Sequence, residues 1–472
     1  MSVLSTILNI ILLVVVVVMV FNIIIFVHEL GHFWAAKWRG LQIDRFQIWF
    51  GKPLWKKEIN GVQYGLGWLP FGGFVALPQM APMEALEGEA VEREPLPPIR
   101  PLDKIIVAFA GPLFSMLLAL LAAVVVWQVG KPKDFIESTE IGYLLPDSPA
   151  AKAGLRVGDK ITEINGVPVN GFAGSLNSIT ERIILSRGEQ ITFTVERPGE
   201  ARPLPLVSGF ETEKSRWFQR RGLRQVGIEP SGPAIIGKVY PNSPAAVAGL
   251  VKGDQVLTVD GNKLFSLSQF SQYLRDQKWQ TVRLGVRSAE GGTREVELTP
   301  ERPLKPADAE PMVGILWDTH SDVDIRIVHP EPIQQVKDSL TMMWVTISSV
   351  KARDSNIGVD HLSGPVGIAK MLYQLAQMEN GWRRILAFMV LFNVNLAVLN
   401  MLPFPVLDGG HITLAILEKI CGRPVKARPL EILQTLCALL LISLMLFVTS
   451  KDIGNDIGRS SRTRQEVEFP AR

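Results

Sequence analysis

Phe26-Val27-His28-Glu29-Leu30-Gly31-His32-Phe33 is the stretch on which the reading of this chain turns. It contains His-Glu-x-x-His and closes an apolar run that begins near Val3. If the run is helical, His28 and His32 stand four residues apart on one face, with Glu29 beside them. Two imidazoles at that spacing can hold one zinc ion, and the neighbouring carboxylate can act on a water at the metal. What sets this copy apart is its setting: the segment leading into it is long and apolar enough to cross a bilayer.

With 472 residues, the chain has room for several domains. An apolar fraction of 47% suits a protein that is part membrane and part soluble, and the net charge of +3 gives no pointer to nucleic acid, so no such partner is expected. Two cysteines, Cys421 and Cys437, imply no disulfide framework and cannot make a four-thiolate zinc site. The first Lys or Arg is Lys37, and the apolar run is too long for the core of a signal peptide. Residues 1–36 therefore read as a retained transmembrane helix.

Three further apolar stretches, 104–129, 385–411 and 430–449, complete a four-span α-helical bundle. A shorter one at 340–350, flanked by Lys337, Asp338 and Lys351, reads as an amphipathic helix on the membrane or against the bundle, within a linker over 304–384. Lys37, Arg39, Arg45, Lys52, Lys56 and Lys57 follow the first span, and Lys419, Arg423, Lys426 and Arg428 separate the third from the fourth. An excess of cations marks cytoplasmic loops, so both termini are expected outside. The tail, 450–472, pulls against this with Lys451, Arg459, Arg462 and Arg464.

Between spans two and three lies an internal repeat. Ser148-Pro149-Ala150-Ala151-Lys152-Ala153-Gly154-Leu155-Arg156-Val157-Gly158-Asp159 recurs 95 residues later as Ser243-Pro244-Ala245-Ala246-Val247-Ala248-Gly249-Leu250-Val251-Lys252-Gly253-Asp254. Each copy reads as a short helix, a glycine turn, a strand and an Asn-Gly or Asp-Gly turn. The pattern resembles the PDZ fold in the arrangement found in bacterial proteases. Two such β-rich α+β domains are expected at 131–208 and 222–303, on the extracytoplasmic side. PDZ domains accept peptide ends or extended segments at a sheet edge; a spacer role is the alternative.

The first cytoplasmic loop, 37–103, alternates strand-like residues with glycines from about 59 to 78. This predicts a β-hairpin dipping toward the membrane, tolerated there only where it is buried in protein or lines a cavity. Residues 79–103, rich in Glu and Pro, read as a surface loop.

A zinc hydrolase needs a third protein ligand. His320 and His329 fall on the extracytoplasmic side and His361 precedes span three. Asn400-Met401-Leu402-Pro403-Phe404-Pro405-Val406-Leu407-Asp408-Gly409-Gly410-His411 ends span three on the membrane face where span one also ends. Asp408 is the expected third ligand. His411 is the alternative ligand, and Asp-Gly-Gly is also a common turn.

The membrane His-Glu-x-x-His, the glycine-rich hairpin, the tandem repeat and N-x-x-P-x-P-x-x-D-G at Asn400, Pro403, Pro405, Asp408 and Gly409 together resemble the site-2 protease family, the M50-type intramembrane zinc metalloproteases, over nearly the whole length. One departure lies in Gly111-Pro112-Leu113-Phe114-Ser115, where Ser115 replaces the family's usual Asn and puts a polar contact from that position in doubt. The resemblance implies a zinc endopeptidase with one Zn2+ per chain in a bacterial inner membrane. Its implied substrates are single-span membrane proteins already trimmed outside by a site-1 protease, such as an anti-sigma factor, and remnant signal peptides. Glu29 is the expected base. A substrate helix must unwind to be cut; the backbone around Gly65, Gly67, Gly72 and Gly73 can pair with it as an added strand, with Asn395 and Asn400 on the other side. Family resemblance supports Asn400 in particular, and a helix–helix hydrogen bond is the alternative for Asn395.

Overall fold

The structure, a computed structural model, describes residues 3–80, 97, 99–306, 308–318, 324–422, 427–458 and 467–470. Most of the Glu- and Pro-rich loop (81–96 and 98), His320, Arg423, Lys426, Arg459, Arg462 and Arg464 lie outside them. The chain divides into two compact units. One comprises Met1–Pro132, Ile327–Ser348 and Leu362–Ile453; the other comprises Lys133–Arg326, Ser349–His361 and Gly454–Arg472.

Among its described residues, the first unit is helical apart from one hairpin and the ends of two short strands, Lys131–Phe135 and Asp324–Val328, at its borders. Among the described residues, four helices are long and apolar enough to cross a membrane: Val14–Arg39, Pro101–Val129, Gly381–Asn400 and Arg428–Asn455. The second span buries a stripe of small residues, among them Ala108, Gly111, Ser115, Ala119, Ala122 and Ala123. Small side chains let helix backbones approach, which is how spans associate when lipid is as apolar as the partner helix. At Gly31 that approach is tight: a Cβ there would lie 2.4 Å from the Ala110 carbonyl oxygen.

The amphipathic helix is longer than the expected 340–350, running Pro332–Lys351. Its polarity is inverted: Gln335 and Ser339 are buried, whereas Ile333, Leu340, Trp344 and Ile347 are exposed. Gln335 Nε2 donates to the Ala123 carbonyl at 3.0 Å, so the helix packs against the second span. Helix Asp408–Cys421 is separate from the third span, which ends at Asn400; residues 401–407 turn between them.

The hairpin also exceeds its expected bounds. Its strands are Arg45–Ile59 and Val62–Ala76, joined at Asn60-Gly61, both with positive φ. Its first strand, broken by Gly51 and Pro53 and dotted with lysines, lacks the alternation that would have exposed it as a strand. The register makes it more than a hairpin. Residues 56–59 pair with 62–65, and residues 45–48 lie between 63–66 on one side and 73–76 on the other. Residues 73–76 are therefore an edge of this small sheet.

The second unit contains two β-rich domains of like build. One has a sheet of Val167–Pro168, Lys160–Ile164, Ile191–Glu196 and Leu204–Ser208 around a core that includes Ile161, Ile179 and Phe193. The other is built on Ala234–Val239, Gln255–Val259, Val282–Arg287, Thr293–Leu298 and Ile315–Trp317, around Ile236, Phe270 and Leu284. The repeat holds in detail. Ser148 and Ser243 each cap a short helix, accepting from Ala151 N and Ala246 N at 3.2 Å. Buried Asp159 and Asp254 pair with Arg197 and Arg294 at 2.7 and 3.1 Å.

The domain boundaries shift. Strand Ile228–Pro230 pairs back onto Ile141–Leu144, and Ile315–Trp317 pairs onto Ala234–Val239. The first domain therefore extends past 208 to 230, and the second begins near 234 and ends near 317. The clue was a second repeat, Val226-Gly227-Ile228 and Val313-Gly314-Ile315. It sits outside the 95-residue offset because the intervening connections differ in length.

Candidate metal centre

Two elements of the first unit converge on one point. His28 and His32 come from one face of the first span, and Asp408 opens the helix Asp408–Cys421. Gly409 and Gly410 make that placement possible: a Cβ at Gly409 would stand 2.2 Å from the Met401 carbonyl oxygen, and one at Gly410 2.0 Å from that of Phe404. Only glycine lets the turn at 401–407 fold so closely against the helix start.

The donor atoms meet at zinc-like spacing. His28 Nε2 lies 3.4 Å from His32 Nε2. Asp408 Oδ2 is 3.3 Å from His28 Nε2, and Asp408 Oδ1 is 3.3 Å from His32 Nε2. Ligands at about 2.0–2.1 Å in a tetrahedron stand about 3.3–3.4 Å apart. Asp408 Oδ2 is buried and has no hydrogen-bond partner.

The second ring nitrogens explain why the facing ones are free. His32 Nδ1 lies 2.8 Å from the Val107 carbonyl, which only accepts, so Nδ1 carries the proton and Nε2 presents a lone pair. His28 Nδ1 lies 2.9 Å from the Ser115 hydroxyl, and Asn400 Nδ2 is 3.4 Å from His28 Nε2. Donation by His28 to Ser115 leaves a lone pair on Nε2, in accord with the Asn400 amide facing it. Two lone pairs and a carboxylate, converging in a buried place, fit a divalent cation. Gly111 leaves the room: a Cβ there would stand 2.2 Å from His32 Nε2.

Glu29 is beside the cluster and next to the sheet edge. A Cβ at Gly73 would lie 3.5 Å from Glu29 Cγ, and the Val75 backbone N–H reaches the Glu29 carboxylate. Of the four glycines singled out in the sequence, only Gly73 stands here. Gly65 and Gly67 pack inside the sheet, against Gln47 and Trp55 and against the Trp49 and Phe50 carbonyls, and Gly72 packs on the Phe50 ring. The alternation of glycines reflects this internal packing as well as any substrate face.

Asn400 reaches the cluster, and Asn395 does not; its Oδ1 is buried without a partner. Five residues apart on a helix, the two cannot share a face. Among the described residues, the cluster of potential ligands is His28, His32 and Asp408, and His411 is not part of it. A polar contact from Ser115 was in doubt from the sequence, yet its hydroxyl makes one, 2.9 Å from His28 Nδ1. Sequence reasoning missed two ion pairs that brace the same end of the bundle: Arg39 Nη2–Asp103 Oδ1 at 2.6 Å and Lys104 Nζ–Glu418 Oε2 at 2.8 Å. Adjacent opposite charges at the start of the second span were the available signal.

Compared with known proteins, residues 16–444 match the profile of peptidase family M50. The Regulator of sigma-E protease RseP of Salmonella typhimurium is 28% identical over 442 residues, covering 90% of this chain and 94% of its own. The protein of that name from Escherichia coli is 29% identical over 445 residues, again 90% and 94%. A Pasteurella multocida protein whose name describes a zinc metalloprotease is 29% identical over 451 residues, 92% of this chain and 97% of its own. A PDZ domain of an SdrC-like protein from Listeria innocua aligns with 19% of this chain and 96% of its own at 24% identity, with a TM-score of 0.17.

Proposed function

The chain belongs to peptidase family M50 and is a zinc metalloprotease, and from that premise we propose that it cuts single-span membrane proteins within the bilayer, using one zinc ion per chain. The observation that carries this reading is the meeting of His28, His32 and Asp408 with Glu29 and a sheet edge, inside a bundle of span-length helices.

His28, His32 and Asp408 would hold the metal. Zinc, when bound, supplies Lewis acidity that activates a water and polarises the scissile carbonyl. Glu29 takes the proton from the attacking water and returns it to the leaving amine. Ser115 and the Val107 carbonyl hold the two imidazoles in the ligating orientation.

A transmembrane substrate hides its carbonyls in its own helix and must unwind before attack. Backbone groups freed in a membrane need partners, because each one left unpaired costs several kcal/mol. The edge at 73–76 offers a row of such groups beside Glu29, ready for strand addition. Asn400 lies where it can bond the opposite side of the same strand.

The substrates are anti-sigma-factor-like proteins shortened outside by a site-1 protease, with remnant signal peptides as a second source. The names of the sigma-E relatives support this class. The chain lies in a bacterial inner membrane, with both termini and the two β-rich domains outside and the metal near the cytoplasmic face. The Lys and Arg excess after the first span supports that orientation. The two β-rich domains are PDZ domains that filter substrates by size.

Glu29→Gln tests the base. The variant is expected to keep its zinc and lose cleavage of a model single-span substrate; cleavage at the normal rate removes Glu29 from the mechanism. Asp408→Asn is expected to lose metal and activity together, and an unchanged zinc content would reassign the third ligand.

A further inference from the structure

The two β-rich domains treat one loop differently. Gly227 and Gly314 are equivalent: both have positive φ, both follow a valine of the domain core, and both lie over the capping serine of their domain. In the first domain, Val226 and Gly227 line a cavity of about 670 Å³, together with Ile183, Lys214 and Arg220. In the second, the loop is covered by residues 467–470 of this same chain, which belong to the same compact unit.

The covering segment is attached as a bound peptide would be. Glu468 forms an antiparallel bridge with Lys305. Its carbonyl accepts from Leu304 N at 2.7 Å and Lys305 N at 3.3 Å, and its own N–H donates to the Lys305 carbonyl at 3.2 Å. Lys305 Nζ and Glu468 Oε2 are 2.7 Å apart. Phe469 is 3% exposed, and its ring comes within 3.0 Å of where a Cβ at Gly314 would stand. After the fourth span the sequence is polar, Arg459-Ser460-Ser461-Arg462-Thr463-Arg464-Gln465, until Val467-Glu468-Phe469. The anchors are thus concentrated in the four residues that dock. Main-chain pairing, one buried aromatic and one charge pair are the parts of strand-type peptide recognition.

We propose that the second β-rich domain carries a peptide site for an extended segment with an acidic residue followed by an aromatic one, and that residues 467–470 fill this site in cis. A tethered segment acts at an effective concentration in the millimolar range. A peptide from another protein must outcompete it, so the tail sets the threshold for any ligand at this site. The inference is independent of the proteolytic reading, since it uses no residue of the metal centre.

Hydrogen exchange on the full-length protein tests the docking, and a peptide tests the site. Phe469→Ala is expected to lower protection of the Leu304, Lys305 and Glu468 amides by about thirtyfold, the effect of truncating an aromatic anchor. Amides of Val282–Arg287 serve as the folding control and are expected to stay unchanged. A labelled peptide of residues 464–470 should bind the Phe469→Ala protein saturably and the parent chain about tenfold more weakly, because there the site is filled. The same peptide with alanine for its phenylalanine should not bind. Unchanged protection at 304 and 305 overturns the proposal, and so does failure of the peptide to bind the emptied site at about 1 mM, the scale of the tethered tail.

Discussion

Ser115→Ala isolates one hydroxyl behind the metal centre. Ser115 is fully buried and His28 is 8% exposed, so no water can take the place of the lost oxygen. The His28 Nδ1 proton, now 2.9 Å from the Ser115 oxygen, would face a methyl group. A buried donor left unpaired costs about 1–3 kcal/mol. Part of that cost is escaped by moving the proton to Nε2, but a proton there occupies the lone pair that the metal needs. The metal-free protein escapes the cost by that shift and the ligated one cannot, so the loss falls on metal affinity, and about 10–100-fold weaker zinc binding is expected, as for other groups that orient a ligand from behind. The assay is competition for zinc with a chelator of known affinity on the purified full-length protein. Thermal unfolding of the two metal-free proteins is measured in parallel. Zinc affinity within twofold of the parent would refute the reasoning and show that packing around His28 fixes the ring without the hydroxyl.

Gly111→Ala should be more severe, because the added Cβ would stand 2.2 Å from His32 Nε2 and must push the ligand aside. A loss of about 100-fold in cleavage rate is expected, the scale of a displacement of about 1 Å at a reacting centre, and retained activity would show that the second span can retreat. In the second unit, Asp360 is held well below the usual carboxylate range by hydrogen bonds from the Arg221 guanidinium, Nη2–Oδ1 at 2.8 Å. A carboxylate whose folded pKa is depressed stabilises above its unfolded value of about 3.9 and loses that contribution as pH falls through the folded value. Protection of the Arg221 amide, which donates to Asp360 Oδ2, should therefore be flat from pH 7 to about pH 5 after correction for intrinsic exchange, and should fall below about pH 4. Asp360→Asn should lose about 1 kcal/mol of that protection at neutral pH, a modest figure because the Arg221 side chain is mostly exposed. Protection that rises on acidification would contradict the pairing.

Much of the metal site was legible because its spacing is local or follows from topology. His28 and His32 share a face by helical periodicity alone. Asp408 was reachable because two spans running the same way must end on the same side. Asn395 shows where that logic stops: a polar residue in a span is a sound candidate, but only the helix phase tells which one turns toward the metal. The sheet at 45–76 was legible in part. A glycine-rich alternation announces strands, whereas the folding of residues 73–76 back beside 45–48 is a tertiary pairing with no period of its own. The domain boundaries failed for a similar reason. The repeat preserved the capping serine and the buried aspartate at fixed spacing, while the closing strand follows a connection whose length is free to differ.

The two units are held together by different physics, and this bears on where the site is sensitive. In the second unit, buried Ile, Leu, Val and Phe side chains dominate both cores, and removing apolar surface from water is the driving force. Between helices in lipid that force is largely absent, so contact rests on close packing and on polar groups. The bundle shows both. Gly31 meets the Ala110 carbonyl, Gly111 meets His32, and the Trp49 indole N–H donates to Asn22, tying the sheet to the first span six residues before His28. Trp49 has a φ of 69°, a conformation that costs a bulky residue of order 1–3 kcal/mol. Held in that strained form, it directly follows the residues of the same strand, 45–48, that carry the edge at 73–76. The edge beside Glu29 is thus positioned by a polar contact, by close-packed glycines and by the apolar cluster in which Phe33, Phe46, Tyr64 and Val75 meet. In such an arrangement, a methyl added at Gly31 or Gly111 presses on the backbone of the second span or on His32 itself, so the small residues hold the histidine cluster in place as well as the helices.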